Sequence, residues 1–211
     1  MTNRLAICLP QTETVRCEYA RSLANMMLRL GNVDAGASQV FTLSGSGSIL
    51  PSIRSGIARR AIEGLRATHL LWIDADHSFP NDTAHRLLAH SRPWVGINAI
   101  CRQQPWKPTA SKREGKLLET TRDSKGLERV WRMGFGIVLI EARVFEAIEK
   151  PWFLHEYLGE DHENDYRGED IYFCEKAKAA GFHPMVDHDL TNETTHIGSI
   201  ALDTATVLEA M

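Results

Sequence analysis

The sequence predicts an α/β protein, a single domain over residues 1–211 with a mainly parallel central sheet and helices on both faces. Three observations carry that expectation. Short buried-strand runs alternate with helical segments from the first residues onward. The chain of 211 residues, 43% hydrophobic and 24% charged, is long enough and ordinary enough in composition to close one sizeable core. No internal repeat or low-complexity tract interrupts the pattern.

In order, RLAICLP (4–10) reads as a buried strand stopped by Pro10. Residues 14–30 place apolar side chains at helical spacing, with Gly31 as the expected stop. VFTL (40–43) is a second strand, followed by the turn-rich SGSGS. A helix is expected over Leu50–Ala67, with Pro51 in its first turn. THLLWID (68–74) is the third strand, and FPNDTAHRLLAH (79–90) opens a helix capped by Asn81 or Asp82. WVGINAI (94–100) and WRMGFGIVLI (131–140) are further strands; glycines in the latter point to close approach of a ligand or another backbone. EARVFEAIEK (141–150) and GEDIYFCEKAKAAG (168–181) are helical, the second stopped by Gly181, and FHPMVDHDL (182–190) is a late strand.

The bulk numbers exclude several classes. A formal net charge of −3 makes no global case for nucleic acid or an anionic membrane. No apolar run reaches the length of a membrane span, and the N-terminal apolar stretch is too short for a signal peptide. Cys8, Cys17, Cys101 and Cys174 form no C-x-x-C pair and read as reduced core residues of a cytoplasmic protein. Charge is uneven: residues 101–132 carry nine Lys or Arg against four Asp or Glu, whereas residues 141–175 carry three against eleven. Two solvated faces account for this; the sharper reading is a basic acceptor side, with Arg102 and Lys107 on an anionic acceptor, facing an acidic catalytic side.

Function enters at LLWIDADHSFP (70–80), where a greasy strand ends in two carboxylates, Asp74 and Asp76. In a parallel α/β sheet, ligands sit at the carboxyl ends of strands. Alternate aspartates in an extended segment can bracket one cation, though a solvated turn with a capping aspartate explains them as well. Three further features bear on the choice: the GED tripeptide (168–170) opening a helix, His196 in TTHIGS, and Arg54 at the head of the helix before the Asp-x-Asp strand. Singly, each has a bland explanation in a favourable helix first turn, a surface histidine and a solvated arginine. Of the tryptophans, Trp72, Trp94 and Trp131 fall on strand patterns and read as core. Trp106 and Trp152 fall in loops, where aromatics either pack or stack on sugars and bases.

Taken in order, LP-x-T, IRSGIARRAIEG-x-x-ATHLLWIDADHSFP, MGFGIVLI, PWF, GEDIYFCEKAKAAGF and THIG resemble the small family-2-like glycosyltransferases of GT-A (Rossmann-like) fold found in bacteria and bacteriophages, over Ala6–Gly198. The resemblance implies a nucleotide-sugar half over about residues 1–100 and an acceptor and catalytic half over about 101–211. It implies that Pro10, Gln11 and Thr12 hold the nucleotide base, that Arg54 lies near the nucleotide, and that Asp74 faces the ribose or the metal shell. Asp76 then matches the direct metal ligand and His196 the late ligand, while Gly134, Phe135 and Gly136 match the strand lining the donor sugar. Asp170 matches the catalytic base of inverting members, with Glu169 beside it. His77 departs from the pattern, standing where an apolar residue is common, and is a further candidate for a metal or acceptor contact.

The implied activity is metal-dependent transfer from a nucleotide-diphosphate sugar, a UDP-sugar for preference, to an acceptor hydroxyl. Aspartate oxygens with one imidazole suit Mn2+, and Mg2+ is also compatible. The acceptor is open: a glycan, a lipid-linked sugar, a protein or a modified DNA base. Two readings compete. In a phosphatase, Asp74 is a nucleophile, but His77 stands where that motif carries Thr or Val. A non-catalytic sugar-nucleotide binding module leaves GED without a purpose.

Overall fold

The computed structural model describes residues 3–102, 105–160 and 166–198. The chain begins with β1 (Asn3–Pro10), α1 (Cys17–Asn32), β2 (Ala37–Gly45) and α2 (Leu50–Arg59), whose last turn widens into a π-helical segment, Arg60–Gly64. Next come β3 (His69–Ile73), the two-residue β4 (His77–Ser78), α3 (Thr83–Ala89) and β5 (Trp94–Gly96). A small hairpin, β6 (Ser111–Arg113) and β7 (Lys116–Leu117), precedes β8 (Leu127–Arg129), β9 (Ile137–Glu141) and α4 (Ala142–Glu146). The remainder is β10 (Glu156–Tyr157), β11 (Tyr166–Arg167), α5 (Glu169–Ala179), β12 (Met185–Asp187), α6 (His188–Asn192) and β13 (Thr195–His196).

Seven strands form the main sheet in the order β2-β1-β3-β9-β5-β12-β8. β1 pairs in parallel with β2 and β3, and β5 with β12, while β9 runs against both β3 and β5 and β8 against β12. The sheet is therefore mainly parallel by strand direction, with β9 and β8 opposed. Because β1, β2 and β3 share a direction, Pro10, Gly45 and Ile73 end at one edge.

Alternation along β1 divides the core between the two faces. Ala6 and Cys8 pack with Trp72, Val138 and residues of α2, α4 and α5. Leu5, Ile7 and Leu9 pack with Leu71, Ile73, Leu139 and residues of α1 and α3. The first face carries an aromatic cluster in which Phe153 stacks on Phe173 at 5.2 Å and Phe135 meets Phe173 edge-on at 5.3 Å.

Several boundaries differ from the sequence expectations. α1 runs through Gly31 to Asn32, because nothing at that position requires a left-handed residue. Gly181 does take positive φ, at 88°, and stops α5 as expected. The fourth strand shrinks to Trp94–Gly96, and the strand expected over 131–140 starts only at Ile137, after a loop holding Gly134–Gly136. The late strand ends at Asp187, whose side chain accepts from the Leu190 N–H at 2.8 Å and starts α6. Trp152, in a loop, is 6% exposed and donates to the Phe145 carbonyl, so it is core. Trp131 is on the surface, with the Lys178 ammonium 3.3 Å from its ring centroid. Cys8 and Cys174 are buried, but Cys17 is exposed and Cys101 partly so. Among the described residues no helix is long and apolar enough to cross a membrane.

Candidate active site

A cavity of about 650 Å³ opens at the carboxyl edge of the parallel strands. Pro10, Gln11 and Thr12, just past β1, form one wall, and the Gln11 N–H donates to the Gly45 carbonyl at 3.0 Å, fixing that loop against β2. Gly47, Ser48 and Ile53 form a second wall, and Asp74, Ala75 and Asp76 form the floor past β3. The residues expected to hold a nucleotide base and those expected to meet its diphosphate thus face one space.

Asp76 lies at the centre of a titratable cluster. Its two oxygens approach His77 Nδ1 at 3.0 Å, His196 Nε2 at 3.2 Å and Arg102 Nη1 at 3.1 Å. β4 and β13 build this meeting: His77 and His196 are cross-strand partners, and their rings stack at 4.2 Å and 18°. The Ile197 N–H closes the motif on the Asp76 carbonyl at 2.7 Å. Gly136 makes room for it, since a Cβ there would stand 2.8 Å from His77 Nε2.

The cluster has the character of a cation site. Asp76, His77 and His196 each offer a ligand atom, all within 4.8 Å of one another. Asp76 Oδ1, both ring nitrogens of His77 and His196 Nε2 are buried without a directed hydrogen bond. Buried polar atoms of this kind are normally satisfied. His196 Nδ1 bonds the Ile100 carbonyl, which can only accept, so that nitrogen carries a proton. Burial opposes charge on the ring, but the Asp76 carboxylate 3.2 Å from Nε2 and the Ile100 carbonyl push the His196 pKa up, and a bound cation would take the place of the Nε2 proton. Such outer contacts fix the tautomer of metal-ligating histidines. One carboxylate oxygen with two imidazole nitrogens can hold a divalent transition-metal ion. Burial would raise the Asp76 pKa, but contacts from His196 and His77 outweigh it and hold the carboxyl well below the usual range. Arg102, 58% exposed, brings a further positive charge to the same carboxylate.

Arg54 and Asp74 pair with each other. Arg54 is 2% exposed and away from the cavity wall. Its Nη2 donates to both Asp74 oxygens, at 2.9 and 3.1 Å, and its Nε donates to Glu169 Oε1 at 3.2 Å. The guanidinium also lies 5.1 Å from the Phe135 ring centroid. One arginine thereby ties α2, the end of β3 and the first turn of α5. Burial pushes the Asp74 pKa up, and Arg54 opposes that rise. Asp74 lines the cavity but lies outside the Asp76 ligand group. Gly134–Gly136 also lie apart from the cavity wall: Phe135 is 2% exposed in the aromatic core, and a Cβ on Gly134 would stand 3.1 Å from Thr109.

Arg54→Ala strands two carboxylates in a poorly solvated place. Breaking a buried ion pair from one side costs roughly 3–5 kcal/mol, and partial solvation of Asp74 sets the expected loss at about 3 kcal/mol. Urea unfolding measures it; an unchanged midpoint would show that the carboxylates find solvent unaided.

Glu169 and Asp170 begin α5 behind Gly168, as the sequence predicts. Glu169 is fully engaged, its Oε1 by Arg54 and its Oε2 by His155 Nε2 at 3.1 Å. Asp170 Oδ1 accepts from the Ile171 N–H at 2.7 Å. Burial, reinforced by the Glu169 charge, pushes Asp170 up to about 6 against the pull of that N–H and Arg54. His155 and Arg102 carried no sequence signal for these roles; His77 did, through its place beside Asp76.

No family model matches the sequence, and the comparison with curated proteins gave no match. Solved structures do match in fold. A197 from STIV is 13% identical with a TM-score of 0.58, over 95% of this chain and 97% of that one. GalNAc-T7, solved with UDP, GalNAc and Mn2+, is 12% identical with a TM-score of 0.59, over 93% of this chain but 43% of that one. The catalytic domain of Drosophila β1,4-galactosyltransferase 7, solved with xylobiose, is 15% identical with a TM-score of 0.52, over 99% and 80%. With its mixed α/β sheet and these neighbours, the chain has the GT-A-like fold of glycosyltransferases.

Proposed function

We propose that this chain transfers a sugar from a nucleotide-diphosphate sugar, a UDP-sugar, to an acceptor hydroxyl with inversion at the anomeric carbon. The observation that carries this reading is the Asp76–His77–His196 group at the floor of a cavity on the sheet's carboxyl edge. The neighbour solved with UDP and Mn2+ supports it. Residues up to about 100 form the donor half and later residues the acceptor and catalytic half.

In this reading the Pro10–Thr12 wall receives the base, and Asp76, His77 and His196 hold a divalent cation. A cation held by these residues would supply charge neutralisation for the leaving diphosphate. Arg102, on the same cavity, adds a second positive charge. Asp170 takes the acceptor proton as the acceptor oxygen bonds to the anomeric carbon. The bond from that carbon to the diphosphate oxygen breaks, and its electron pair leaves with the nucleotide. A pKa of about 6 suits the task, since a base works best when its pKa lies near the operating pH. Arg54 and Glu169 position the base and the Asp74 strand end. A phosphatase is disfavoured because both Asp74 oxygens accept from Arg54 instead of being free to attack.

Thermal denaturation with UDP and UDP-sugars, with and without Mn2+, tests the reading. Nucleotide and metal together are expected to raise Tm by about 5 °C or more at a hundredfold excess over Kd. No shift with any nucleotide, or the same shift in chelator, would reject it.

A further inference from the structure

We propose that Tyr157 and Tyr166 form a stacking platform for a pyranose ring of an uncharged oligosaccharide acceptor; this rests on the transferase reading above. The two tyrosines are cross-strand partners in the β10–β11 ribbon, with ring centroids 5.2 Å apart and planes at 51°. They are 54% and 62% exposed, a large aromatic surface left to solvent, whereas the Phe135–Phe153–Phe173 cluster is core. Glu156 and Arg167 pair on the opposite side of the ribbon, Nη1 to Oε2 at 2.8 Å, which holds the strand register and leaves the tyrosine side open.

The ribbon's position gives the platform a purpose. β11 runs through Gly168 straight into Glu169 and Asp170, so Tyr166 is four residues from the candidate base. Four residues of extended chain span at most about 14 Å, a reach that a short oligosaccharide covers. On the other strand His155, two residues before Tyr157, contacts Glu169 at 3.1 Å. Both strands are thus anchored beside Asp170. An acceptor lying on the tyrosines presents its next hydroxyls toward the base.

Chemistry selects the occupant. The C–H face of a sugar ring carries partial positive charge and fits the negative face of an aromatic ring, while the phenol oxygens bond peripheral hydroxyls. A nucleobase would also stack, but its phosphates would meet the carboxylates of Glu169 and Asp170, which follow β11 directly. Part of the basic stretch that favoured an anionic acceptor is engaged elsewhere: Arg102 with Asp76, Lys112 with Glu128, Lys125 with Asp189 and Arg132 with Glu175.

The test uses the full chain with UDP and Mg2+ and titrates in neutral hexasaccharides (cello-, malto- and xylo-oligomers, β-1,3-glucan, mannan and chitin fragments) by calorimetry. A DNA oligonucleotide, single-stranded and duplex, is run alongside. At least one saccharide is expected to bind. Tyr157→Ala and Tyr166→Ala should each weaken it about tenfold, the scale of one lost aromatic stacking contact, with Tyr166→Phe within about twofold of wild type. UDP affinity retained in each variant confirms an intact donor site. The proposal is overturned if no saccharide binds, if binding ignores both alanine substitutions, or if only DNA binds in a tyrosine-dependent way. Tyrosine-dependent saccharide binding without metal-dependent nucleotide binding would leave the platform standing and remove the transferase reading.

Discussion

Asp76→Ala is expected to abolish Mn2+-dependent nucleotide binding while leaving a folded protein. Asp76 is the one carboxylate that both histidines and Arg102 approach, so its removal takes away the charge that draws a cation between two imidazoles. Losing an outer contact to a metal ligand already costs about 10–100-fold in metal affinity, so loss of the charged ligand itself should exceed about 100-fold. The fold survives because the side chain is 22% exposed at a strand edge and the neighbouring histidines can remain neutral. Calorimetric titration of UDP in Mn2+ against the variant, with circular dichroism as the control, reads both halves. Wild-type affinity in a folded Asp76→Ala protein would move the metal elsewhere.

Asp170→Asn is expected to keep donor and metal affinity and to lose turnover, by roughly 10²–10⁴-fold in kcat, the usual contribution of a positioned general base. The loss belongs in kcat because proton transfer matters in the transition state and not in donor binding. The pH profile gives an independent reading. With a pKa of about 6, Asp170 is protonated and inactive below that pH and ionised above it. Turnover should therefore rise through about pH 6 and level off toward neutrality, and the asparagine variant should lack that limb. A profile unchanged by the substitution would assign the base to another group. Glu169→Gln is expected to act differently: its carboxylate is held by Arg54 and His155, so the variant should lose stability and alignment together.

The sequence expectations held best where local pattern and long-range structure agree. β1 and β3 are apolar runs and β2 a mixed one, each separated from the next by a helix, and that alternation of strand and helix implies the shared direction found for them. β9 was legible as a strand, but its antiparallel place between β3 and β5 was not, because periodicity carries no information about partner direction. β8 and the two-residue strands were invisible, being defined by partners and not by pattern.

The site divides along the same line. Asp74, Asp76 and GED lie at predictable ends of elements. That His196 folds back on Asp76 depends on the β4–β13 bridge, which two residues of pairing cannot announce in sequence. Arg54 was readable as a charged residue heading a helix. Its burial at 2% between two carboxylates needed tertiary structure, as did the distinction between Asp74, held by Arg54, and Asp76, open to a cation. His77 shows how a departure from a family pattern can mark a real feature, here a buried imidazole stacked on His196.

Anomalous scattering from crystals grown with MnCl2 and UDP measures the central claim most directly. The account predicts one manganese peak within bonding distance of Asp76 and His196 Nε2, beside His77 and next to the diphosphate, with the Arg102 guanidinium displaced from Asp76. A manganese peak away from Asp76, or UDP ordered in the cavity with no metal at that group, would contradict it.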